Sequence, residues 1–290
     1  MLGATLLGGL AIGSVYSLIA LGFTLIFRAT GLINFAQGEM ATLGALVGYS
    51  LVSDLGVPFA AAFPLVMLVG AVASLSIDRL VLRPMRRAGV PEVNMVIATV
   101  GLILVISHGA KLIWGAQALS YTEGLASGIV RVGHFVISLQ NVAILAVGLV
   151  LMLALHLFLH HTRTGRGLRA AATDPLMASL SGIDVNLMRS MTAACAGALG
   201  AAAGALLAPM YYASFDIGYI AFKAFCAAVL GGFGNIPGAM IGGLLIGEIE
   251  TLGSIYISSE YKDAIVYGLL IVLLLARPSG ILGGRAWRSA

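Results

Sequence analysis

Runs of apolar residues, each near the length that carries an α-helix across a bilayer, recur along this chain with short polar or cationic breaks between them. They fall at roughly 3 to 27, 35 to 53, 59 to 80, 94 to 114, 140 to 161, 189 to 212, a short 219 to 233, 238 to 257 and 263 to 276. Crossing about 30 Å of hydrocarbon takes about 20 residues at about 1.5 Å each, so the pattern predicts about nine hydrophobic helices. AILAVGLVLMLAL (143 to 155) is apolar at successive positions and buries every face, whereas a membrane barrel shows alternating segments of about ten residues. The predicted class is an all-α polytopic membrane protein, with residues 1–290 forming a single transmembrane domain. The opening MLGATLLGGLAIG has neither a cationic start nor a cleavage pattern and is read as a retained first helix.

Composition agrees. Of 290 residues 60% are hydrophobic and 10% charged, against about 25% charged in a soluble domain, and the mean hydropathy is +1.03. The net charge of +4 is modest, and its sixteen Lys and Arg gather in loops rather than on one basic face, which argues against nucleic acid as a partner. The basic clusters are RLVLRPMRRAG (79 to 89), RTGRGLR (163 to 169) and Arg277, Arg285 and Arg288 after the last span. The positive-inside rule puts all three in the cytoplasm, so the N-terminus is expected outside and the C-terminus inside. That arrangement needs an odd number of crossings, and the short 219 to 233 segment supplies the odd one. Cys195 and Cys226 sit in apolar surroundings and read as buried small hydrophobes, not as a disulfide framework.

Two linkers differ in character. GAQALSYTEGLASGIVRVGHFVIS (115 to 138) is polar, holds Glu123 and one arginine, and is expected outside, as a solvated loop or as a contact for a substrate-delivering partner. The inner linker, 162 to 188, contains TDPLMASLSGID (173 to 184), whose punctuation is that of a complete short helix: Asp174 as N-cap, Pro175 at the first helical position and Gly182 as the left-handed stop. Leu176, Met177 and Leu180 fall at i, i+1 and i+4, giving one apolar side to a helix too short to cross a bilayer. That face suits a groove on another protein, or the membrane surface.

Glycine is abundant, with 38 residues, often four apart as in GALVG (44 to 48), GAAAG (200 to 204), GAMIG (238 to 242) and GLLIG (243 to 247). Such spacing lets helix backbones approach closely in lipid, within a dense bundle or against a second membrane subunit. GLINFAQGEMATLGA (31 to 45) and GFGNIPGAMIGGLLIG (232 to 247) also share Gly-x-x-Asn, then Gly, then a Gly-spaced run, with the asparagines 201 positions apart. Interrupted segments at matching places in two halves of a chain point to a transporter's pathway. Asn34, Gln37 and Glu39 can supply hydrogen bonds to irregular backbone beside a polar path, and Asn235 the same in the second stretch. Glu39 has a plainer role open to it, as a first-turn carboxylate complementing the helix dipole. Glu248 lies about 15 Å into its helix, where an ionised carboxylate needs water or a partner. Glu250 is about 200° around the helix from it, so one of the two is expected to meet a neighbouring subunit or the outer interface.

Other polar groups point to no chemistry. His156, His160 and His161 lack a nearby acid and read as interface anchors rather than metal ligands. Asp78 beside Arg79 reads as a local ion pair, and His108 and Lys111 as snorkelling side chains. No GxxxxGK[ST] phosphate loop, catalytic Ser/His/Asp set or metal cluster is present, so no catalytic residue, metal or cofactor is expected, and energy must come from a partner or an ion gradient.

Three stretches together carry a family resemblance. GSVYSLIALGFTLIFRATGLINFAQGEMATLGA (13 to 45) resembles the opening of the LivH family, permease subunits of the ABC importers for branched-chain amino acids. RTGRGLRAAATDPLMASLSGIDV (163 to 185) resembles that family's cytoplasmic coupling segment, and AFCAAVLGGFGNIPGAMIGGLLIG (224 to 247) its Gly-rich late motif. The resemblance implies a heterodimer with a LivM-type permease, two cytoplasmic ATPases, a periplasmic binding protein and an inner-membrane location. It also implies that Asp174, Pro175, Leu176, Met177, Leu180 and Gly182 form a coupling helix in an ATPase groove, within a coupling segment 163–188. The opening motif usually has His where this chain has Gln37. Relatives of similar sequence carry urea, short amides or aromatic acids, so those solutes stay open here. So does a lone ion-coupled secondary transporter using Glu39 or Glu248, while a membrane enzyme lacks the residues for its chemistry.

Overall fold

The computed structural model describes residues 2–283 apart from 122–124, 127, 133–134 and 278. Glu123, Arg285 and Arg288 therefore lie outside the described residues.

Helix α1, Leu2–Thr30, ends where Gly31 takes φ +72 and its N–H donates to the Phe27 carbonyl, a conformation that favours glycine. An irregular connector with one 3-10 turn, Phe35–Gly38, leads into α2, Glu39–Tyr49, which continues through a wide turn to Asp54. Helix α3, Phe59–Ile77, runs on through a similar wide turn into α4, Arg83–Arg87. Most of the stretch expected as a cationic loop, residues 79–87 of 79–89, is thus helix. It is followed by α5, Glu92–Trp114, an antiparallel hairpin of β1, Ile129–Val132, and β2, Phe135–Ser138, and then α6, Leu139–His161. The polar linker is thus partly strand, and Tyr121 within it donates to the Ala45 carbonyl of α2 at 2.7 Å; burial pushes its phenol up.

Two short helices follow, α7, Arg163–Thr173, and α8, Pro175–Leu180. Sequence reading takes 163 to 169 as loop, yet Thr162 accepts from the Gly165 N–H at 2.9 Å as N-cap, and Leu168 and Ala171 are buried on one side. The remaining helices are α9, Val185–Tyr211, α10, Ile220–Gly231, α11, Ile236–Tyr256, and α12, Lys262–Ala276. Six helical stretches are long and apolar enough to cross a membrane, as far as the described residues go. Three further apolar helices, α2, α10 and α12, are shorter, with 11, 12 and 15 residues. The all-α polytopic class holds.

Helices α1 and α9 are the most enclosed of the six. In α9 the run AACAGALGAAAGALLA (193 to 208) is built of small residues, and these remove the side-chain layer that ordinarily keeps helices 8–10 Å apart. A Cβ on Gly44 would collide with the Ala201 carbonyl, and one on Gly204 with that of Ala41, so α2 and α9 meet backbone to backbone. Gly13 of α1 meets the Gly243 carbonyl of α11 in the same way, and Gly242 meets that of Ala227 on α10. The Gly-spaced motifs therefore close this chain's own bundle.

One end of the bundle collects the cationic segments. Arg189 donates to the carbonyl of Ala29 at 3.1 Å, Ser190 to Asp78 at 2.8 Å, and α7 packs on α1 and α6. Asp78 is 2.6 Å from Arg86 rather than paired with Arg79, because the wide turn at 78–82 aims it along the helix instead of at its sequence neighbour.

Candidate transport pathway and coupling helix

The connector after α1 holds three of the sequence-predicted polar residues. Asn34, at φ −98 and ψ 97, accepts from the Ala36 N–H at 3.1 Å and so starts the 3-10 turn. Gln37 is fully buried; its amide donates to the Ala196 carbonyl of α9 at 2.8 Å, while its Oε1 has no hydrogen-bond partner among the described residues. Glu39, 4% exposed, opens α2, where its charge complements the dipole. Its Oε2 lacks a partner among the described residues, and the carboxylate lies against Gly218. Gly38 in turn abuts Ala221 and the Gly218 carbonyl. The connector 31–38 thus meets a second interrupted segment, the eight residues 212–219 between α9 and α10. Backbone of this kind at membrane depth survives only against protein or water, and here protein covers it.

The other two predicted residues stand elsewhere. Asn235 has almost the backbone angles of Asn34, φ −96 and ψ 110, and caps α11 by accepting from the Gly238 N–H at 3.2 Å. Its amide donates to the Leu282 carbonyl at 2.7 Å, so this asparagine ties down the C-terminal segment. Glu248 lies over Gly9 of α1, and among the described residues neither of its carboxylate oxygens has a hydrogen-bond partner.

The strongest polar cluster in the bundle was not singled out from sequence. Glu250, 6% exposed, accepts from the Tyr16 hydroxyl at 2.6 Å and is 2.7 Å from the Lys223 ammonium, which also reaches Asp263 at 2.6 Å. Four helices, α1, α10, α11 and α12, are joined by these four side chains. Glu250 therefore meets partners inside its own chain, not a neighbouring subunit. The signal that could have found the cluster is Lys223, the one cation in the apolar run IAFKAFCAAVLG, which demands an acid inside the protein.

At the cationic end, α8 has the predicted punctuation. Asp174 accepts from the Met177 N–H at 3.0 Å, Pro175 occupies the first turn, and Gly182 takes φ +81. The Ile183 N–H reaches Ala178 and the Gly182 N–H reaches Ser179, both at 3.0 Å, which is the Schellman pair of bonds. Ala178 faces inward, while Leu176, Met177 and Leu180 are 66%, 58% and 74% exposed. Six residues are held as a rigid apolar projection. Among the described residues no three His, Cys, Asp or Glu side chains are grouped to hold a metal; the His156 and His160 rings simply stack, with centroids 4.4 Å apart.

Enclosed helices closed by glycine, two interrupted segments in contact and a capped apolar projection define a polytopic α-helical membrane protein. Residues 5–274 match the family model described as branched-chain amino acid transport system / permease component, and the chain belongs to that family. The LivH high-affinity branched-chain amino acid transport permease of Escherichia coli K12 is 38% identical, over 95% of this chain and 93% of that one. BraD, the corresponding permease of Pseudomonas aeruginosa, is 37% identical over 96% and 94%. A probable LivH of Methanocaldococcus jannaschii is 32% identical over 95% and 91%. No solved structure matches.

Proposed function

We propose that this chain is the membrane-spanning permease subunit of a binding-protein-dependent ABC importer for branched-chain or other hydrophobic amino acids, in the inner (plasma) membrane. The observation that carries the reading is the similarity to the LivH and BraD permeases along nearly the whole of each chain. A LivM-type permease completes a heterodimer, two cytoplasmic ATPases drive it, and a periplasmic binding protein delivers the solute. The end that gathers Arg28, Arg86, Arg169 and Arg189 is cytoplasmic under the positive-inside rule.

In this reading 1–290 act as one permease domain and 163–188 as its coupling segment. Its helix α8 seats Leu176, Met177 and Leu180 in an ATPase groove. Caps at both ends keep α8 from fraying, so a push from the ATPase is passed to α7 and α9 rather than absorbed. The pathway is braced by Asn34, Gln37, Glu39, Asn235 and Glu248. Because the connector 31–38 and the segment 212–219 are short, irregular and in contact, their separation opens a polar route without unfolding a helix.

The test is uptake of radiolabelled leucine by proteoliposomes holding the permease pair, the ATPases and a binding protein, with ATP inside. Uptake that needs all components supports the proposal. Gradient-driven leucine uptake by this chain alone would overturn it in favour of a secondary transporter.

A further inference from the structure

The cationic end of the bundle contains a narrow cleft that transport and coupling leave unused. Its walls are apolar, formed by Leu25 of α1, Leu155 and Leu159 of α6 and Leu168 of α7, and two guanidiniums, Arg28 and Arg169, stand among them. Among the described residues neither arginine has a carboxylate within 4.0 Å. The Arg169 Nε is buried without a hydrogen-bond partner among the described residues, and one terminal nitrogen is 3.3 Å from His160. Arg28 sits in the last turn of α1, where a cation complements the helix dipole, but that does not account for a second arginine beside it.

We propose that the mouth of this cleft is a binding site for an anionic phospholipid, with Arg28 and Arg169 on the phosphate and the acyl chains outside the bundle, along the face of α6 that exposes Leu153 and Leu157. Charge complementarity selects the occupant. Two like charges brought together without an acid are stabilised by an anion, and the guanidinium fork matches the phosphate oxygens in pairs. The position selects lipid over a free anion: α1 and α6 are long enough to cross a bilayer, Arg28 lies in the last turn of α1, and Arg169 of α7 is 3.3 Å from His160 in the last turn of α6, where basic pockets between helices take anionic headgroups. An exposed apolar helix face beside the arginines supplies nothing to a free phosphate but lies naturally against the acyl chains of a lipid.

The site adjoins α7, which leads directly into α8, so a bound lipid would fix the base of the projecting helix. The inference rests on the cleft's charge and its position at the helix ends, and not on which solute the protein carries.

The permease complex, purified in detergent and delipidated, is titrated with phosphatidylglycerol or phosphatidylcholine and read by native mass spectrometry. The wild type is expected to retain phosphatidylglycerol at least tenfold more tightly than phosphatidylcholine. Arg28→Gln and Arg169→Gln each remove most of that preference, Arg169→Lys removes part of it, and Arg166→Gln, an exposed arginine of α7 outside the cleft, leaves it intact. Monodispersity and an unchanged melting temperature show that the variants fold. Equal retention by Arg169→Gln and wild type would overturn the site, as would displacement of the lipid by millimolar inorganic phosphate, which would mark a small-anion site. Loss of ATPase-subunit capture by Arg169→Gln with lipid binding unchanged would also overturn it, assigning the arginine to a protein carboxylate.

Discussion

The Lys223 ammonium lies 2.7 Å from the Glu250 carboxylate, between two helices that meet in sequence only at a four-residue turn. The pair is held from both sides, by the Tyr16 hydroxyl on Glu250 and by Asp263 on Lys223. Removing one partner of a buried pair costs about 3–5 kcal/mol because the other charge is left uncompensated. Lys223→Met is therefore expected to lower the melting temperature of the detergent-solubilised protein sharply. Lys223→Met with Glu250→Gln is expected to recover part of the loss; a single variant as stable as wild type would contradict the cluster's role.

The crossing of α2 and α9 makes a prediction that separates close approach from helix propensity. Gly204→Ala pushes a methyl into the Ala41 carbonyl and must part the two helices, costing about 1–3 kcal/mol. Gly101→Ala on α5 meets nothing within 4 Å and is expected to be neutral or to stabilise by about 0.5–1 kcal/mol. Thermal unfolding of the two variants side by side is the check, and equal effects would be inconsistent with backbone contact at Gly204.

Glu39 offers a way to tell a pathway group from a structural one. With one oxygen lacking a partner among the described residues and the carboxylate buried, desolvation of the charge outweighs the roughly 0.3–1 kcal/mol it gains from the helix dipole, so Glu39→Gln is expected to leave melting unchanged or raise it. If the residue acts in the pathway, leucine uptake falls at least severalfold in the same preparation. Unchanged uptake would leave it only the dipole role.

For coupling, Leu176→Asp puts a charge on a face that is 66% exposed, so the permease itself should fold and assemble normally. Substrate-stimulated ATPase activity of the full complex is expected to fall towards its basal rate. Asp174→Ala removes the cap at a cost of about 1 kcal/mol and should weaken coupling less. Wild-type stimulation in Leu176→Asp would rule out docking through this face.

Class and helix order were legible because membrane insertion is decided locally: each apolar run must satisfy its own backbone, whatever its neighbours do. The cap, proline and positive-φ glycine of α8 were legible for the same reason, since each acts within a few residues of itself. Asn34 and Asn235 were readable as the same kind of chain reversal, and their backbone angles nearly coincide.

What required the tertiary structure was every question of partner. The sequence presents Arg79 beside Asp78, but the wide turn chooses Arg86. The four-residue spacing of glycine allows a second subunit, but the fold places those glycines against α1, α2, α9, α10 and α11 of the same chain. Nor could linear spacing put Tyr16 on Glu250, 234 positions away, or Arg28 and Arg169 in one cleft. In lipid, hydrophobicity is the same in every direction and cannot choose a neighbour; packing of small residues and pairing of the few polar groups make that choice, and both are properties of the assembled bundle.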